Sequence, residues 1–480
     1  MAVLAHLEPH GVFSYFEQIC AIPHGSYHTR GISDWLVDFA RAHQLQYVRD
    51  AANNVIMWKS AAPGYEKAAP VILQGHMDMV CEQAPDCGKD MLREGLDLAV
   101  DGDTIYARGT TLGGDDGIAV AMMLALLEAN DIPHPPLECV FTVDEEVGML
   151  GAEALDTSPL KGRRMLNLDS EEEGVFIVSC AGGNVSQCTL PVKRECFVGT
   201  AMQLTVSGLM GGHSGAEIHK GRGNADMLMG RILYAVSHRT GMRLVSVCGG
   251  QKDNAIPREC TAVILVQDAD TAQSVCAEMD DVLKHEYAST DGGITVTAQH
   301  ITCDLPAMDK VSTDRAVCML TCLPNGVQAM SGDMPGLVQT SLNLGILVTC
   351  DTAMEASFCV RSSVATQKEM LVDRLRCLMA QLGGTVTVSG DYPGWQYCPD
   401  SPLRELMTEV YTQQYGCPPV VEAMHAGVEC GFFSDKLPGL DCVSYGPDLK
   451  EIHTCRETMS VSSVQRVWQM TLEILRRMTV

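Results

Sequence analysis

Short apolar runs that end in charged residues recur through the first third of the chain. They occupy residues 71–77, 137–143 and 164–168, and an aspartate follows each run immediately. Runs of this length without regular polar alternation are typical of strands buried on both faces, as in a parallel sheet. The carboxyl ends of such strands form the usual ligand-binding edge of an open α/β sheet. The pattern therefore predicts a sheet with acidic side chains gathered along one edge.

Helical patterns surround these strands. Residues 11–43 predict two amphipathic helices, and residues 54–59 predict a further strand. Residues 109–130 begin as a glycine-rich loop and continue as a segment with apolar side chains at nearly every turn, which predicts a buried helix. Asp115 and Asp116 lie where the loop and the helix meet.

The pattern changes near residue 187, where strands of alternating polarity begin and helices separate them. The predicted strands are 201–208, 261–268 and 355–362, and the predicted helices are 224–237, 271–286 and 367–382. After residue 391 the α/β character returns. We therefore predict an α/β fold with a split domain, residues 1–186 and 392–480, that carries a mixed, mostly parallel sheet flanked by helices. Residues 187–391 are predicted to form an inserted α+β domain.

Length and composition agree with this division and exclude several classes of protein. A chain of 480 residues exceeds what one core usually supports, and 46% hydrophobic residues can fill two cores. The net charge of −26 disfavours nucleic acid or an anionic membrane as a partner, because both attract basic surfaces. No apolar stretch reaches the roughly 18 residues of a membrane span, and no signal peptide is recognisable. The 21 scattered cysteines, none in a Cys-x-x-Cys pair, favour a reducing compartment, so we expect a cytoplasmic protein.

His76 and the acidic residues near it are candidates for a divalent-metal site. His76 and Asp78 are two residues apart, a spacing that points both side chains to one face of a strand. A histidine there can ligate a metal while a carboxylate holds its other ring nitrogen. The alternative is a core histidine beside an incidental aspartate. Asp115 and Asp116 likewise have an alternative role, as caps of the helix that follows them.

Further carboxylates at the predicted strand ends strengthen the metal interpretation. Glu145 and Glu146 follow the second apolar run, and Asp169 follows the third. A parallel sheet aims all of them at one edge, which is an improbable accident. The glycine-rich loop has neither a Gly-Lys-Ser/Thr sequence nor a Gly-x-Gly-x-x-Gly fingerprint. Phosphate-binding and dinucleotide-dependent oxidoreductase functions are therefore disfavoured.

Eight motifs resemble, in order and spacing, those of the aminoacyl-histidine dipeptidases. This family, also called the cytosol non-specific dipeptidases, belongs with the carnosinases and aminoacylases among the co-catalytic zinc peptidases. The motifs are GHMDMV, ARGTTLGGDDGIA, DEEVGMLGA, LDSEEEGV, GGHSGAEIHKGRGNA, NAIPRE, HAGVECG and a late Ile452-His453 pair. They cover nearly the whole chain. The resemblance makes the split domain a catalytic domain and the inserted domain its lid, with a role in dimerisation.

The resemblance implies two zinc ions held by five side chains. These are His76 and Asp169 on one ion, Glu146 and His453 on the other, and Asp115 bridging both. Zinc accepts this mixture of imidazole nitrogen and carboxylate oxygen. Two metals about 3.5–4 Å apart lower the pKa of a water bound between them and polarise the carbonyl of the scissile bond.

The same resemblance assigns roles to the residues around the metals. Asp78 would orient His76, and Glu145 would be the general base that takes the proton of the water and passes it to the leaving amine. The Asp115–Asp116 peptide bond is expected to be cis. Asp116 stands where some relatives carry asparagine, and its extra negative charge leaves the metal open among zinc, manganese and cobalt.

The expected lid carries a motif at residues 211–215 that resembles one with an oxyanion-stabilising histidine. This role would fall to His213. The alternative is a tight turn in which Ser214 acts as a cap. Within the inserted domain, Arg361 aligns with an arginine expected to grip the C-terminal carboxylate of a substrate, a task that suits a guanidinium group. The alternative is an ordinary arginine on an exposed strand.

Two further residues are substrate-binding candidates by the same resemblance. Asn254 lies in the NAIPRE motif and Glu429 in the HAGVECG motif. Glu429 would pair with the free α-amino group of a substrate, and the alternative is an ordinary turn carboxylate.

The resemblance implies hydrolysis of unblocked dipeptides, Xaa-His dipeptides included. The expected partners are a dipeptide substrate and a second copy of the chain in a homodimer, without nucleic acid or membrane. Alternatives on the same scaffold are deacylation of N-acyl amino acids and cleavage of tripeptides. A non-catalytic scaffold protein is a further alternative, which the presence of all five ligands and the base disfavours.

Overall fold

The structure is a computed structural model that describes residues 2–479, and it divides into two compact units. The first unit contains the chain up to Ser179, Tyr397–Ala423 and the chain from Val428 onward, and the second contains Cys180–Gln396 and Met424–Gly427. The second unit therefore extends beyond the predicted insertion of residues 187–391 at both ends. The reason is that Gly182–Pro191 and Thr385–Tyr392 pair with each other as strands of the second unit's own sheet.

An eight-stranded mixed sheet forms the centre of the first unit. Its four middle strands are parallel, and antiparallel strands flank them. In spatial order the strands are Gln46–Arg49, Val55–Lys59, Leu137–Thr142, Val71–His76, Arg164–Asn167, Asp441–Ser444, Val175–Cys180 and Val420–Met424. Every residue of Val71–His76 and Leu137–Thr142 is buried, which explains why their sequences lack polar alternation. The predicted α/β class with a mixed sheet is confirmed.

Helices pack against this sheet and against one another. They are His10–Cys20, Arg30–Ala42, Gly114–Glu128, Leu150–Ala154, Pro402–Tyr415, Cys430–Lys436 and Val461–Arg477. Gly114–Glu128 is buried from its first residue to Leu127, as its all-round apolar sequence predicts. A small sheet in the same unit contains Leu98–Asp101, Thr104–Ala107, Leu449–Lys450 and Thr458–Ser460.

The second unit is built on a nine-stranded sheet. Its strands are Thr295–His300, Thr200–Ser207, Cys260–Val266, Met242–Gly249, Val338–Thr349, Ala353–Ser362, Gly182–Pro191 and Thr385–Tyr392 in spatial order, with Gly326–Met330 beside Val338–Thr349. Its helices are Ala225–Ser237, Ala269–Glu286, Lys310–Cys322 and Ala365–Leu382, with a 3₁₀ turn at Ile218–Lys220. Short ladders join Arg194–Glu195 to Ala307–Met308 and Gly212–His213 to Ala255–Ile256. The alternating burial of Thr200–Ser207 matches its alternating polarity.

Two properties of the described residues bear on the sequence predictions. Within residues 2–479, no helix has both the length and the apolarity that crossing a bilayer requires. The same part of the chain contains no disulfide bond.

Candidate metal centre

Three neighbouring parallel strands end at one edge of the sheet in the first unit. His76 pairs with Thr142, and Gln74 pairs with Asn167, so the strand ends are aligned. His76 closes its own strand, while the predicted acidic residues begin the loops that follow the other two strands. The sheet therefore brings the acidic residues and His76 to one edge, as the apolar runs indicate.

Two other segments of the first unit complete the cluster. Asp115 and Asp116 lie at the start of the helix Gly114–Glu128, and the peptide bond between them is cis, as expected. His453 lies in a loop near the end of the chain and has a positive φ of 60°. We refer below to the carboxylate–histidine cluster, which consists of His76, Asp115, Asp116, Glu146, Asp169 and His453.

The carboxylate of Asp115 lies between the two histidines of this cluster. Its Oδ1 is 3.0 Å from Nε2 of His76, and its Oδ2 is 3.1 Å from Nε2 of His453. Each oxygen thus faces a different imidazole, which is the arrangement that a bridging carboxylate requires. The outer positions also match the expected pairs. Asp169 Oδ1 is 3.5 Å from Nε2 of His76, and Glu146 Oε1 is 2.9 Å from Nε2 of His453.

Asp116 has a place in the cluster that the sequence did not assign to it. His76, Asp116 and Asp169 form one group whose ligand atoms lie within 4.8 Å of one another, and His76, Asp115 and Glu146 form a second. The Oδ2 of Asp116 also accepts a hydrogen bond of 3.2 Å from the backbone N–H of His76. Asp116 is therefore a candidate ligand or a close neighbour of one, in addition to the five expected residues.

The electrostatics of the cluster fit a bound cation. Burial raises the pKa of Asp116, Glu145 and Asp169. The pKa of His453 rises to about 10 because its ring contacts the carboxylates of Asp115 and Glu146. With protein groups alone, only protonated histidines can balance so many buried carboxylates, whereas divalent cations would neutralise them with both imidazoles left neutral. Within the described residues, the buried Glu146 Oε1 lies 2.9 Å from Nε2 of His453 without a properly oriented hydrogen bond, so this oxygen suits a bound cation.

The contacts of Asp78 differ in part from the expected ones. His76 Nδ1 is 3.0 Å from the main-chain carbonyl oxygen of Asp78 and 3.5 Å from its carboxylate. Since Nδ1 donates to this carbonyl, a neutral His76 ring has its lone pair on Nε2, the nitrogen that faces the cluster. The carboxylate itself accepts hydrogen bonds from the Ser26 hydroxyl at 2.8 Å and from the backbone N–H of Glu145 at 3.1 Å. Asp78 therefore orients the ring of His76 mainly through its backbone and holds the Glu145 loop through its side chain.

Glu145, the expected base, lies beside the cluster and outside the two metal-sized groups. Burial is the main cause of the raised pKa of Glu145, and the carboxylates of Asp169, Glu429 and Glu146 add to the effect. A carboxylate in such surroundings holds a proton more strongly than one in water, as a base that collects a proton must. Its neighbour Glu146 instead contacts His453.

The structure places Glu429 in a buried hydrogen-bond network, in the turn directly before the helix Cys430–Lys436. Its side chain is 0% exposed, and its Oε2 accepts hydrogen bonds from Gln74 Nε2 at 2.5 Å and from the Thr142 hydroxyl at 2.6 Å. Asn167 donates in turn to Gln74 Oε1 at 2.6 Å. Burial raises the pKa of Glu429 to about 8. The amine contact remains a prediction, and the complete burial of the carboxylate counts against it.

His213 in the second unit has a defined tautomer. Its Nδ1 accepts hydrogen bonds from the backbone N–H groups of Gly215 at 3.2 Å and Ala216 at 3.1 Å, so the ring proton is on Nε2. Burial and the nearby Arg361 lower the pKa of His213, which favours this neutral form. The Ser214 hydroxyl is buried and has no hydrogen-bond partner within residues 2–479, so the alternative role of Ser214 as a cap is wrong.

Arg361 is a buried residue, and the alternative of an exposed strand arginine is therefore wrong. It lies on the strand Ala353–Ser362 with 8% of its surface exposed. One terminal nitrogen donates to the Tyr392 hydroxyl at 3.1 Å, and its Nε has no hydrogen-bond partner among the described residues. Its strand neighbour Ser341 contacts His425 Nε2 at 2.7 Å. A buried guanidinium with an unused donor suits an anionic ligand.

Asn254 is connected to the His213 loop through its backbone. Its carbonyl oxygen accepts a hydrogen bond of 2.9 Å from the Ser214 N–H, while its side chain is exposed. The side chain is thus accessible, and its contact with a substrate remains a prediction.

Several supporting residues were missed by sequence reasoning. Ser26, Gln74 and Tyr392 act through contacts with residues far away in the chain, and no local pattern marks them. Glu457 accepts hydrogen bonds from the glycine-rich loop before Asp115. Its position four residues after His453 was the one available signal.

Comparisons with known proteins agree with this arrangement. The sequence model of Peptidase family M20/M25/M40 matches residues 72–477. The chain is 36% identical over 480 residues to the cytosol non-specific dipeptidase of Escherichia coli (strain K12), with 99% of each chain covered. The structure is similar to that of aminoacylhistidine dipeptidase from Vibrio alginolyticus, with a TM-score of 0.95, 34% identity, and 98% and 97% of the two chains covered. A tripeptidase from Staphylococcus aureus, at 17% identity, a TM-score of 0.55, and 98% and 99% coverage, shares the fold.

Proposed function

The chain belongs to Peptidase family M20/M25/M40, and from this premise we propose that it is a metal-dependent dipeptidase that hydrolyses unblocked dipeptides, Xaa-His dipeptides among them. The observation that carries the proposal is the position of Asp115 between His76 and His453, with one carboxylate oxygen toward each ring. The names of the two relatives, a non-specific dipeptidase and an aminoacylhistidine dipeptidase, support the substrate class.

The cofactor is proposed to be two Zn²⁺ ions, with Mn²⁺ and Co²⁺ as the alternatives. His76 and Asp169 would hold one ion, Glu146 and His453 the other, and Asp115 both. When bound, the pair would supply a water of lowered pKa and polarise the carbonyl of the scissile bond.

The side chains of the protein would then carry out the proton transfers. Glu145 would take a proton from the attacking water and deliver it to the nitrogen of the leaving amine, so that one carboxylate serves as base and then as acid. The backbone N–H of Glu145, held by Asp78, limits where that carboxylate can reach. His213 would donate its Nε2–H to the developing oxyanion, a role that its neutral tautomer supports.

Recognition of the substrate ends is assigned to the second unit and to the edge of the sheet. Arg361 would bind the terminal carboxylate through the donors that Tyr392 leaves unused. Asn254 would contact the peptide, and Glu429 is retained as the candidate for the terminal amine. The enzyme is further proposed to be cytoplasmic and homodimeric. The name of the Escherichia coli relative supports the location, and light scattering of the purified protein would test the dimer.

Metal removal and a small substrate panel test the proposal. The purified protein should contain about two divalent ions per chain, lose its activity on dialysis against a chelator, and regain it with zinc or manganese. A free dipeptide, its N-acetyl form, its C-amide and the corresponding tripeptide should then be compared by kcat/KM, and the free dipeptide should be best. Full activity of metal-free protein would refute the metal role. Preference for the N-acetyl compound would replace the dipeptidase by a deacylase, and preference for the tripeptide would replace it by a tripeptidase.

A further inference from the structure

The carboxylate of Glu457 accepts hydrogen bonds from backbone N–H groups at the start of the helix Gly114–Glu128. Its Oε2 accepts hydrogen bonds from the N–H groups of Leu112 at 2.8 Å and Gly113 at 3.1 Å. Its Oε1 accepts from Gly114 at 2.8 Å and Asp115 at 3.4 Å. Only 3% of Glu457 is exposed. Four consecutive N–H groups thus converge on one carboxylate, as they do in backbone sites that bind anions.

The local backbone explains how four successive donors can point to one side. Gly113 has a left-handed conformation, with φ 67° and ψ 30°, which turns the chain immediately before the helix. The space around Gly114 is also limited, because a Cβ added there would lie 3.2 Å from Glu457 Oε1 and 3.0 Å from a methyl group of Leu449. The loop is therefore closely fitted to the carboxylate.

This contact joins two distant segments that carry candidate ligands. The fourth donor belongs to Asp115, while Glu457 itself ends the loop that begins just before His453. A hydrogen bond from the Glu457 N–H to the Thr454 carbonyl oxygen at 3.1 Å closes the turn that directly follows His453. Glu457 and Asp115 are 342 positions apart in the sequence. Their hydrogen bond is therefore a tertiary contact and does not come from a local helix cap.

We propose that Glu457 is a positioning residue that sets the distance between Asp115 and His453, and thereby the geometry of the metal position that these two residues share. The inference rests on the metal centre of the proposed function. A carboxylate placed near an acidic cluster is electrostatically unfavourable. The two oxygens of Glu457 accept from four N–H groups, whereas an amide offers only one acceptor oxygen and an apolar side chain offers none.

Metal affinity tests this role directly, without reference to turnover. Glu457→Ala should bind one of two Zn²⁺ ions about 10- to 100-fold more weakly than the wild type in a chelator-buffered titration, because residues that support metal ligands have effects of this size. Glu457→Gln should also bind one Zn²⁺ ion more weakly than the wild type, since its amide N–H₂ would face backbone N–H donors. Glu451→Ala is the matched control, because Glu451 lies on the same loop with an exposed carboxylate paired with Arg456. It should bind both ions as the wild type does.

Anion rescue separates positioning from general destabilisation. Removal of the Glu457 side chain leaves the four N–H groups available, so formate should restore the weakened Zn²⁺ affinity of Glu457→Ala, while formamide, which is neutral and similar in size, should not. The wild type and Glu451→Ala should not respond to formate. If Glu457→Ala does not fold, as judged by circular dichroism, the titration of Glu457→Gln decides alone.

The outcomes distinguish this inference from the proposed function. Wild-type affinity at both ions in Glu457→Ala or Glu457→Gln would overturn the positioning role and leave the dipeptidase proposal intact. If the wild type binds two ions but hydrolyses no dipeptide, the proposed function is overturned. The titration of Glu457→Ala and Glu457→Gln then still decides the positioning role. A wild type that binds no divalent ion would overturn both.

Discussion

The candidate metal centre of the first unit and the His213–Arg361 region of the second unit are held in place in different ways. In the metal centre, acidic side chains follow buried strands, and backbone donors or neighbouring hydroxyl groups fix them, as with Asp78 and Glu457. In the second unit, buried donors remain unused, including Arg361 Nε and the Ser214 hydroxyl. The first region is anionic and suits cations, whereas the second presents hydrogen-bond donors and suits anions. This difference predicts that substitutions of the proposed ligands in the first region alter metal binding, and that substitutions in the second region alter catalysis or substrate binding alone.

The largest effect is expected from Glu145, the proposed base, which lies beside the proposed ligands of the first region. Glu145→Gln should lower kcat by about 10²- to 10⁴-fold, because the proton of the water then has no acceptor of comparable strength. Elemental analysis should still find about two ions per chain. Glu146→Gln is the matched variant one residue away. It should lose metal, because Glu146 contacts His453 and is proposed to bind the same ion. The opposite pattern of metal loss would reverse the two assignments.

A smaller effect is expected from His213, the proposed hydrogen-bond donor to the oxyanion in the second unit. His213→Ala should lower kcat by about 10²- to 10³-fold, the size typical of removing one oxyanion donor, without loss of metal. The exposed His219, six residues later, provides the control His219→Ala, which should keep wild-type kinetics. Metal loss in His213→Ala would remove the contrast between the two regions.

Arg361 should affect specificity more than the chemical step. Arg361→Ala should lower kcat/KM for free dipeptides by about 10- to 100-fold, because one charge-assisted contact with the carboxylate is lost. The same variant should change kcat/KM for dipeptide amides little. Arg376→Ala, on an exposed helix face, is the control. Equal losses on free and amidated dipeptides would show that Arg361 acts on the fold or on the chemistry and does not read the carboxylate.

The two regions also differ in how much the sequence could predict about them. The strand ends were predictable because the uninterrupted apolar runs reflect burial on both faces, and each run is followed by an acidic residue. The resemblance drawn from the eight motifs is confirmed by the family match and by the 36% identity over 99% of the chain. The left-handed Gly113 and the cis bond after Asp115 also lie within one of these motifs.

The remaining features depend on contacts between residues that are distant in the chain. The burial of Glu429 follows from hydrogen bonds to Thr142 and Gln74, which lie 287 and 355 positions away. Tyr392 meets Arg361 across the strand Gly182–Pro191, which lies between their two strands and pairs with both residues at Gly183. The second unit begins at Cys180, before the predicted residue 187, because the strand Gly182–Pro191 pairs with strands of the second sheet, and its own alternating sequence does not show those partners. No local pattern carries this information.

The smallest effect on activity, and a distinct effect on stability, is expected from Asp226 in the core of the second unit. Asp226 is fully buried, neither carboxylate oxygen has a well-oriented hydrogen-bond partner among the described residues, and the Cys260 thiol beside it only partly offsets the rise in its pKa. Burial raises the pKa of Asp226 to about 7, from an unfolded value near 4. The folded state therefore holds a proton that the unfolded state releases, so the stability contributed by this group is complete below about pH 4 and is lost as the pH rises through 7.

Asp226→Asn should remove this dependence. The difference in Tm between the wild type and the variant should change steadily between about pH 4 and pH 7 in favour of the variant, and stay constant above that range. The control is Asp270→Asn, because Asp270 is an exposed acid in the first turn of the helix Ala269–Glu286. The Tm of this variant should follow the same pH dependence as that of the wild type. Activity with saturating metal should be unchanged in both variants, because neither residue belongs to the metal centre or to the His213–Arg361 region. A pH-independent difference in Tm would mean that Asp226 is ionised in the folded core, and a partner for its carboxylate would then have to be found.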